Sequence, residues 1–301
     1  VKEFFRYDTD ENRQSLLRRA RKVALTAIQR YDLAWEHIQF IQLSDTITYK
    51  IETNVTNHNY LLRIHSDRLT QDEIRSELQL LQTLNKGNTL LVPEGVASDD
   101  GSYVLEVETE AGYRCPYVTM MRWVEGEPAG REFTDTCVYN MGELIGRLHN
   151  ATGSFKPPAN FARPKWGADQ FRRKLTRLSQ YYSCFLSDEA WMMYQEAAEK
   201  VLTELHAIPE NDQVYGLIHA DLHTGNMVFV DDQPFLIDFG RCGYGYYLYD
   251  IAGTMLGLWP KHRWMLIQGY ERIRKLEANY VRQLECFFCD DHDRELLPSC
   301  L

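Results

Sequence analysis

The stretch 217–238, LIHADLHTGNMVFVDDQPFLID, constrains this chain more than any other. Residues 227–230 and 235–237 are short apolar runs, and the acidic, proline-containing tetrapeptide 231–234 between them has the composition of a turn. The pattern predicts a β-hairpin whose second strand returns the chain to where the first began. Asn226 enters this hairpin and Asp238 leaves it, so the two are expected side by side, with Asp221 on the loop just before.

Three oxygen-bearing side chains in that arrangement point to a chemistry. The spacing His219-x-Asp221-x4-Asn226 has the form H-x-D-x-x-x-x-N, in which the Asp faces an attacking hydroxyl and the Asn sits on a metal ion. A carboxylate and an amide oxygen are hard ligands suited to Mg2+. Phe239-Gly240 directly after Asp238 completes the pattern of a phosphoryl-transfer site.

Upstream, residues 12–30 carry an amphipathic helical stripe, and 37–43, 46–52 and 58–65 alternate as half-buried antiparallel strands. The turn between the first two strands is Ser44-Asp45-Thr46 and has no glycine. Ser44 and Thr46 are therefore the candidates for phosphate contacts there. A helix is expected over 70–85, with Thr70 as N-cap. Glu77 falls inside its apolar stripe of Ile74, Leu78, Leu81 and Leu84. An inward carboxylate needs a cation, and Arg63 on the third strand is the natural partner. A strand cation paired with a helix Glu holds nucleotide phosphates in kinases.

Residues 103–108 and 117–124 read as two further strands, the second an edge strand leading into a Gly- and Pro-containing linker at 125–130. That linker divides the chain into an N-terminal nucleotide-binding lobe, 1–124, and a C-terminal catalytic and substrate-binding lobe, 125–301, hinged at about 120–130. Met121 and Trp123 are the hinge candidates for contacts to a nucleotide base. Beyond residue 134 the pattern is mostly helical, over 134–150, 168–183, 188–207, 246–258 and 263–284.

A net charge of −10 argues against nucleic acid as a partner and suits an amine-bearing one. No apolar run approaches the roughly 20 residues that span a bilayer. The N-terminal segment is too charged for a signal peptide, and seven scattered cysteines suggest reduced thiols in a cytoplasm. Cys286, Cys289, His292 and Cys300 are better explained by packing than by zinc. Asp290, Asp291, Asp293 and Glu295 form a weak cation-attracting cluster.

The motifs LIHADLHTGN (217–226), FLIDFG (235–240) and GYGYYLYDIA (243–252), with weaker support from YLLRIH (60–65), the Glu77 helix and MMRWVEG (120–126), resemble the aminoglycoside phosphotransferase and choline kinase superfamily. The tail CGYGYYLYD is most similar to members near the homoserine, hydroxylysine and stress-response Ser/Thr kinases. The resemblance implies an α+β, two-lobed, protein-kinase-like fold. It also implies ATP and Mg2+, and phosphorylation of a hydroxyl on a small acceptor. In these terms Asp221 is the catalytic base, Asn226 and Asp238 bind Mg2+, and Arg63, set by Glu77, holds phosphates. Asp250 and His219 support the loop. His223, Arg241 and Tyr244 are acceptor-side candidates. Two positions depart from the pattern: Arg63 stands where Lys is usual, and Arg241 where the nearest relatives often have an acid. A protein Ser/Thr kinase is the alternative within the same chemistry, although no Ala-Pro-Glu element follows Asp238. A regulatory pseudokinase is the alternative outside it, disfavoured by the intact Asp221, Asn226 and Asp238.

Overall fold

The structure is a computed structural model that describes residues 1–54, 58–86, 90–130 and 132–296, with side chains to 288. The acidic cluster 290–295 and the Cys289, His292 and Cys300 side chains lie outside the described residues.

Helix α1 (Asp10–Ile28) opens the chain, capped by the Thr9 hydroxyl, which accepts from the Asn12 N–H. Strands β1 (Trp35–Leu43), β2 (Thr46–Thr53) and β3 (Tyr60–His65) follow, then α2 (Gln71–Lys86). Thr70 and Glu73 form a reciprocal capping box at the start of α2: Glu73 N–H donates to the Thr70 hydroxyl, and Thr70 N–H donates to the Glu73 carboxylate. Strands β4 (Glu94–Val96), β5 (Leu105–Glu106) and β6 (Tyr117–Arg122) complete an antiparallel sheet of order β1-β2-β3-β6-β4, with β5 also on β6.

Two expectations need correction here. The strand over 103–108 shrinks to the two residues of β5. The strand leading to the hinge is not at the sheet edge, because β4 pairs with β6 from Glu94↔Arg122 to Val96↔Met120. At three residues, β4 is too short to leave a periodic trace in the sequence.

The linker is also more ordered than its composition suggests. Glu127–Pro128 forms β7, paired with the catalytic hairpin. Gly126 makes this possible: its φ is 151°, and a Cβ there would meet the Phe229 backbone at 3.0 Å.

The remainder is largely helical: α3 (Asp135–Gly153), α4 (Ala168–Leu178) and α5 (Asp188–Ala207), then strand β8 (Tyr215–Ile218). The hairpin follows as β9 (Met227–Val230) and β10 (Gln233–Leu236). Its turn is tighter than expected, only Asp231 and Asp232, with Asp231 at φ 52°. Pro234 therefore lies within β10, which its edge position tolerates. Strand β11 (Gly243–Tyr246) pairs with β8 and leads into α6 (Tyr247–Leu256). The helix expected over 168–183 ends at Leu178 and gives way to a 3-10 turn at Tyr182–Cys184. The helix expected over 263–284 is two helices, α7 (Pro260–Ile273) and α8 (Tyr280–Leu296). The break starts at Arg274, which turns extended and donates to Asn150 Oδ1 and to the Asp212 and Gln213 carbonyls.

One apolar core joins α1 to the back of the sheet through Leu16, Val23, Ala27, Ile47, Leu62 and Met120. A larger one links α2 with α3, α5, α6, α7 and the hairpin. Helices α3 and α7 cross closely because Gly142 and Gly269 meet the opposing backbone: a Cβ on Gly142 would lie 2.1 Å from the Leu266 carbonyl oxygen. Among the described residues, no helix is long and apolar enough to cross a membrane.

Candidate active site

The hairpin positions the site. Its ladder continues past the strands through Ile237 N–H to the Asn226 carbonyl, 3.0 Å, so Asn226 and the residue before Asp238 are bonded neighbours. Asp238 itself takes a left-handed conformation, φ 58° and ψ 67°, and its Oδ1 accepts from Gly240 N–H at 3.4 Å. Asp238 is 41% exposed and faces the cleft between the sheet and the hairpin.

Asp221 and Asn226 meet directly. The Asn226 amide nitrogen donates to the Asp221 carbonyl at 2.8 Å and to Asp221 Oδ2 at 3.2 Å. Both N–H bonds of that amide are thus directed at Asp221, which leaves Oδ1 as its ligand-capable atom. On the other side, Arg241 Nε lies 4.0 Å from Asp221 Oδ1, and the Arg241 guanidinium stacks over the Trp166 ring, 4.9 Å to the centroid.

The loop carrying Asp221 is braced from behind. Ala220 has φ 62°, a strained value for a residue with a Cβ. Its N–H donates to Asp250 Oδ1, and the His219 N–H donates to Asp250 Oδ2, both at 2.8 Å. His149 Nε2 donates to the same Oδ2 at 3.1 Å, with its Nδ1 3.0 Å from the Tyr270 hydroxyl. Burial opposes the charge on Asp250, but the donors from His149 and His219 outweigh it, so the carboxyl titrates below its ordinary range. Burial lowers the His149 pKa more than Asp250 raises it, so the ring is neutral at pH 7. His219 Nε2 donates to the Ile237 carbonyl, 2.9 Å, tying this loop to the hairpin exit.

Across the cleft, Arg63 Nη1 and Glu77 Oε1 form a buried ion pair at 2.5 Å. Arg63 Nη2 extends to within 4.0 Å of Asp238 Oδ1. Burial opposes the Arg63 charge, but Glu77 and Asp238 keep it protonated. One guanidinium therefore bridges α2 and the hairpin exit.

The other candidates fall out unevenly. Thr46, Met121 and Trp123 line the same cleft as Arg63, Glu77, Asn226 and Asp238. Ser44 does not; it sits on an exposed turn and its N–H donates to the Thr46 carbonyl. Met121 pairs in register with Leu61 of β3 and Gly95 of β4, and Trp123 N–H donates to the Asn59 carbonyl at 2.9 Å. His223 is exposed, and its Nδ1 accepts from Gly225 N–H. Tyr244 is half-buried, edge-on to Phe161.

Sequence reasoning missed Thr48 and an apolar clamp of Ile41 and Leu61 from the sheet and Val228 and Ile237 from the hairpin. Thr48 was findable, since it shares a strand face with Thr46. The clamp was not, because its members read as ordinary strand residues. A slot of that kind has the shape and apolar walls to accommodate a planar ring. For a divalent metal, the Asn226 Oδ1 and the exposed Asp238 carboxylate are hard oxygens flanking the same cleft, and they fit Mg2+.

Comparison with known proteins identifies the family and the fold. Residues 38–283 match the model of the phosphotransferase enzyme family. An uncharacterized protein of Synechocystis, sll1119, is 30% identical over 253 residues, covering 80% of this chain and 67% of that protein. Amicoumacin kinase of Bacillus subtilis is 27% identical over 238 residues, covering 77% and 66%. The chain thus spans about two thirds of the length of these curated relatives. Among solved structures, amicoumacin kinase hAmiN in complex with AMP-PNP, Ca2+ and Ami superposes with a TM-score of 0.78 at 18% identity, over 93% of this chain and 86% of that one. That likeness establishes the two-lobed, kinase-like α+β fold. With the family match running through most of the chain, this protein belongs to the phosphotransferase enzyme family.

Proposed function

We propose that the protein transfers the γ-phosphoryl group of ATP to a hydroxyl of a small, amine-bearing molecule. The observation that carries this reading is that Asn226, hydrogen-bonded to Asp221, lines one cleft with Asp238 and with Arg63, whose Nη2 lies 4.0 Å from Asp238 Oδ1. In this reading residues 1–124 bind the nucleotide, residues 125–301 carry catalysis and the acceptor, and 120–130 is the hinge. Mg2+ held by Asn226 Oδ1 and Asp238 would supply charge neutralisation on the phosphates. Arg63, kept charged by Glu77, binds phosphate oxygens, and the apolar clamp with Met121 and Trp123 holds the base. Asp221 orients the acceptor hydroxyl and takes its proton as the oxygen–phosphorus bond forms. The transition state is loose, so alignment and charge stabilisation do most of the work.

Arg241, with Tyr244 and His223, belongs to the acceptor side. The acidic balance of the chain and the names of its relatives, among them a homoserine kinase of Rhodospirillum rubrum, support an amino-alcohol type of acceptor. Cytoplasmic placement suits an ATP-dependent reaction and the free thiols of Cys115, Cys137, Cys184 and Cys242.

The test is Mg-dependent ATP turnover against amino alcohols, hydroxy amino acids and aminoglycosides. Asp221→Ala is expected to abolish transfer while ATP still binds, and Asp238→Ala to weaken Mg-ATP binding. Failure with every small acceptor together with labelling of protein would favour a protein kinase instead. An Asp221→Ala protein with undiminished turnover would remove the assigned base.

A further inference from the structure

The turn that carries Asp238 is held from outside itself. Its left-handed start is costly for a residue other than glycine, and such conformations persist where the surroundings over-determine them. The local support is limited to two bonds: Asp238 Oδ1 accepts from Gly240 N–H at 3.4 Å, and Cys242 N–H donates to the Phe239 carbonyl at 2.9 Å.

The missing support comes from the loop between α3 and α4. Arg163 Nε donates to the Cys242 carbonyl at 2.6 Å, and its Nη2 donates to the Gly240 carbonyl at 2.7 Å and the Phe239 carbonyl at 3.5 Å. Trp166 Nε1 donates to the remaining carbonyl of the turn, that of Arg241, at 3.0 Å. All four carbonyls from 239 to 242 therefore receive a donor from this one loop. The loop is itself fixed in register: Trp166 N–H donates to the Tyr244 carbonyl and Tyr244 N–H to the Pro164 carbonyl, at 2.7 and 2.9 Å.

The same guanidinium also reaches the other side of the cleft. Arg163 Nη1 donates to the Glu73 carbonyl of α2 at 3.1 Å, and Ala162 N–H donates to the Ser76 hydroxyl at 2.9 Å. Glu73 lies one helical turn before Glu77, the residue that sets Arg63. Among the described residues, the hydrogen-bond acceptors of Arg163 are backbone carbonyls on these two elements. Only a planar fork of five donors on a fixed charge can satisfy them together; a lysine ammonium cannot span them.

We propose that Arg163 is a positioning residue for the metal turn. It holds Asp238 in its left-handed conformation and registers α2, and hence Arg63, against it. Arg163 is not among the residues that line the cleft. This rests on the assignment of Asp238 to the metal. It makes metal-dependent nucleotide binding depend on a side chain in a loop with no active-site motif.

Calorimetric titration of the intact protein with ATP, in Mg2+ and in EDTA, separates this from a general structural role. Wild type, Arg163→Ala and Arg163→Lys are compared, with folding of each checked by thermal melting. Arg163→Lys carries the test if the alanine variant does not fold. Both variants are expected to lose about tenfold or more of the affinity gained from Mg2+, with EDTA affinity within about twofold of wild type. A folded variant with the full Mg2+ gain overturns the proposal. So does an equal loss in both titrations, which would mark Arg163 as merely structural. If wild type itself gains nothing from Mg2+, it is the assignment of Asp238 that fails.

Discussion

Asp250→Asn removes one charge from a fully buried position while keeping the side chain's shape. The carboxylate accepts three donors: the Ala220 N–H on Oδ1, and the His219 N–H and His149 Nε2 on Oδ2. An asparagine keeps its oxygen where two donors converge, which turns its NH2 toward the Ala220 N–H. One buried donor then faces another, at a cost of about 1–3 kcal/mol. The two surviving bonds lose their charge assistance, about 1 kcal/mol each. The sum is about 3–5 kcal/mol, against a total stability of about 5–15 kcal/mol for a folded domain. Ala220 also loses the bond that holds its left-handed backbone, so Asp221 is released from its place. Urea unfolding at pH 7 is the assay, with turnover measured on the folded fraction. The midpoint should fall at an unchanged slope, with transfer lost more than ATP binding. A stability loss under about 1 kcal/mol would refute the reasoning, because a buried donor facing a donor cannot be that cheap.

Other expected outcomes test different parts of the structure. Burial holds the His65 pKa well below 6.5, and that of His149 is lowered for the same reason, so both rings favour the neutral form when folded. Their contribution is complete above pH 6.5 and is lost as pH falls toward their folded values; melting temperature should drop between pH 7.5 and 5.5, and a flat profile would contradict this. Gly142→Ala puts a Cβ 2.1 Å from the Leu266 carbonyl oxygen and 2.7 Å from Tyr270 N, and should cost about 3 kcal/mol as α3 and α7 are forced apart; an unchanged melting temperature would contradict the crossing. Gly240→Ala puts a Cβ 2.8 Å from Arg63 Nη2 and should weaken Mg-ATP binding about tenfold with little change in melting; unaltered affinity would argue against Arg63 as a phosphate ligand.

What was legible in the sequence shares a physical basis. The hairpin could be read because both strands and the turn lie within a dozen residues, where composition reports directly on pairing. The Arg63–Glu77 pair could be read because a carboxylate inside an apolar stripe demands a cation. What escaped is non-local or made of backbone. Strand β4 is three residues long and exists only because β6 offers an edge. The pairing of Glu127–Pro128 with the hairpin depends on the close approach at Gly126. Asp250 and its partner His149 are 101 residues apart, and no local pattern announces the contact. Arg163 was invisible for a further reason: it recognises carbonyl groups, which every residue has, from a loop without periodicity.

The most direct measurement is a crystal structure with AMP-PNP and Mn2+, using anomalous scattering to locate the metal. The assignment predicts a peak about 2.2 Å from Asn226 Oδ1 and from an Asp238 carboxylate oxygen, with the nucleotide in the clamp and its γ-phosphate facing Asp221. A metal held by other residues, or a nucleotide bound outside this cleft, would contradict it.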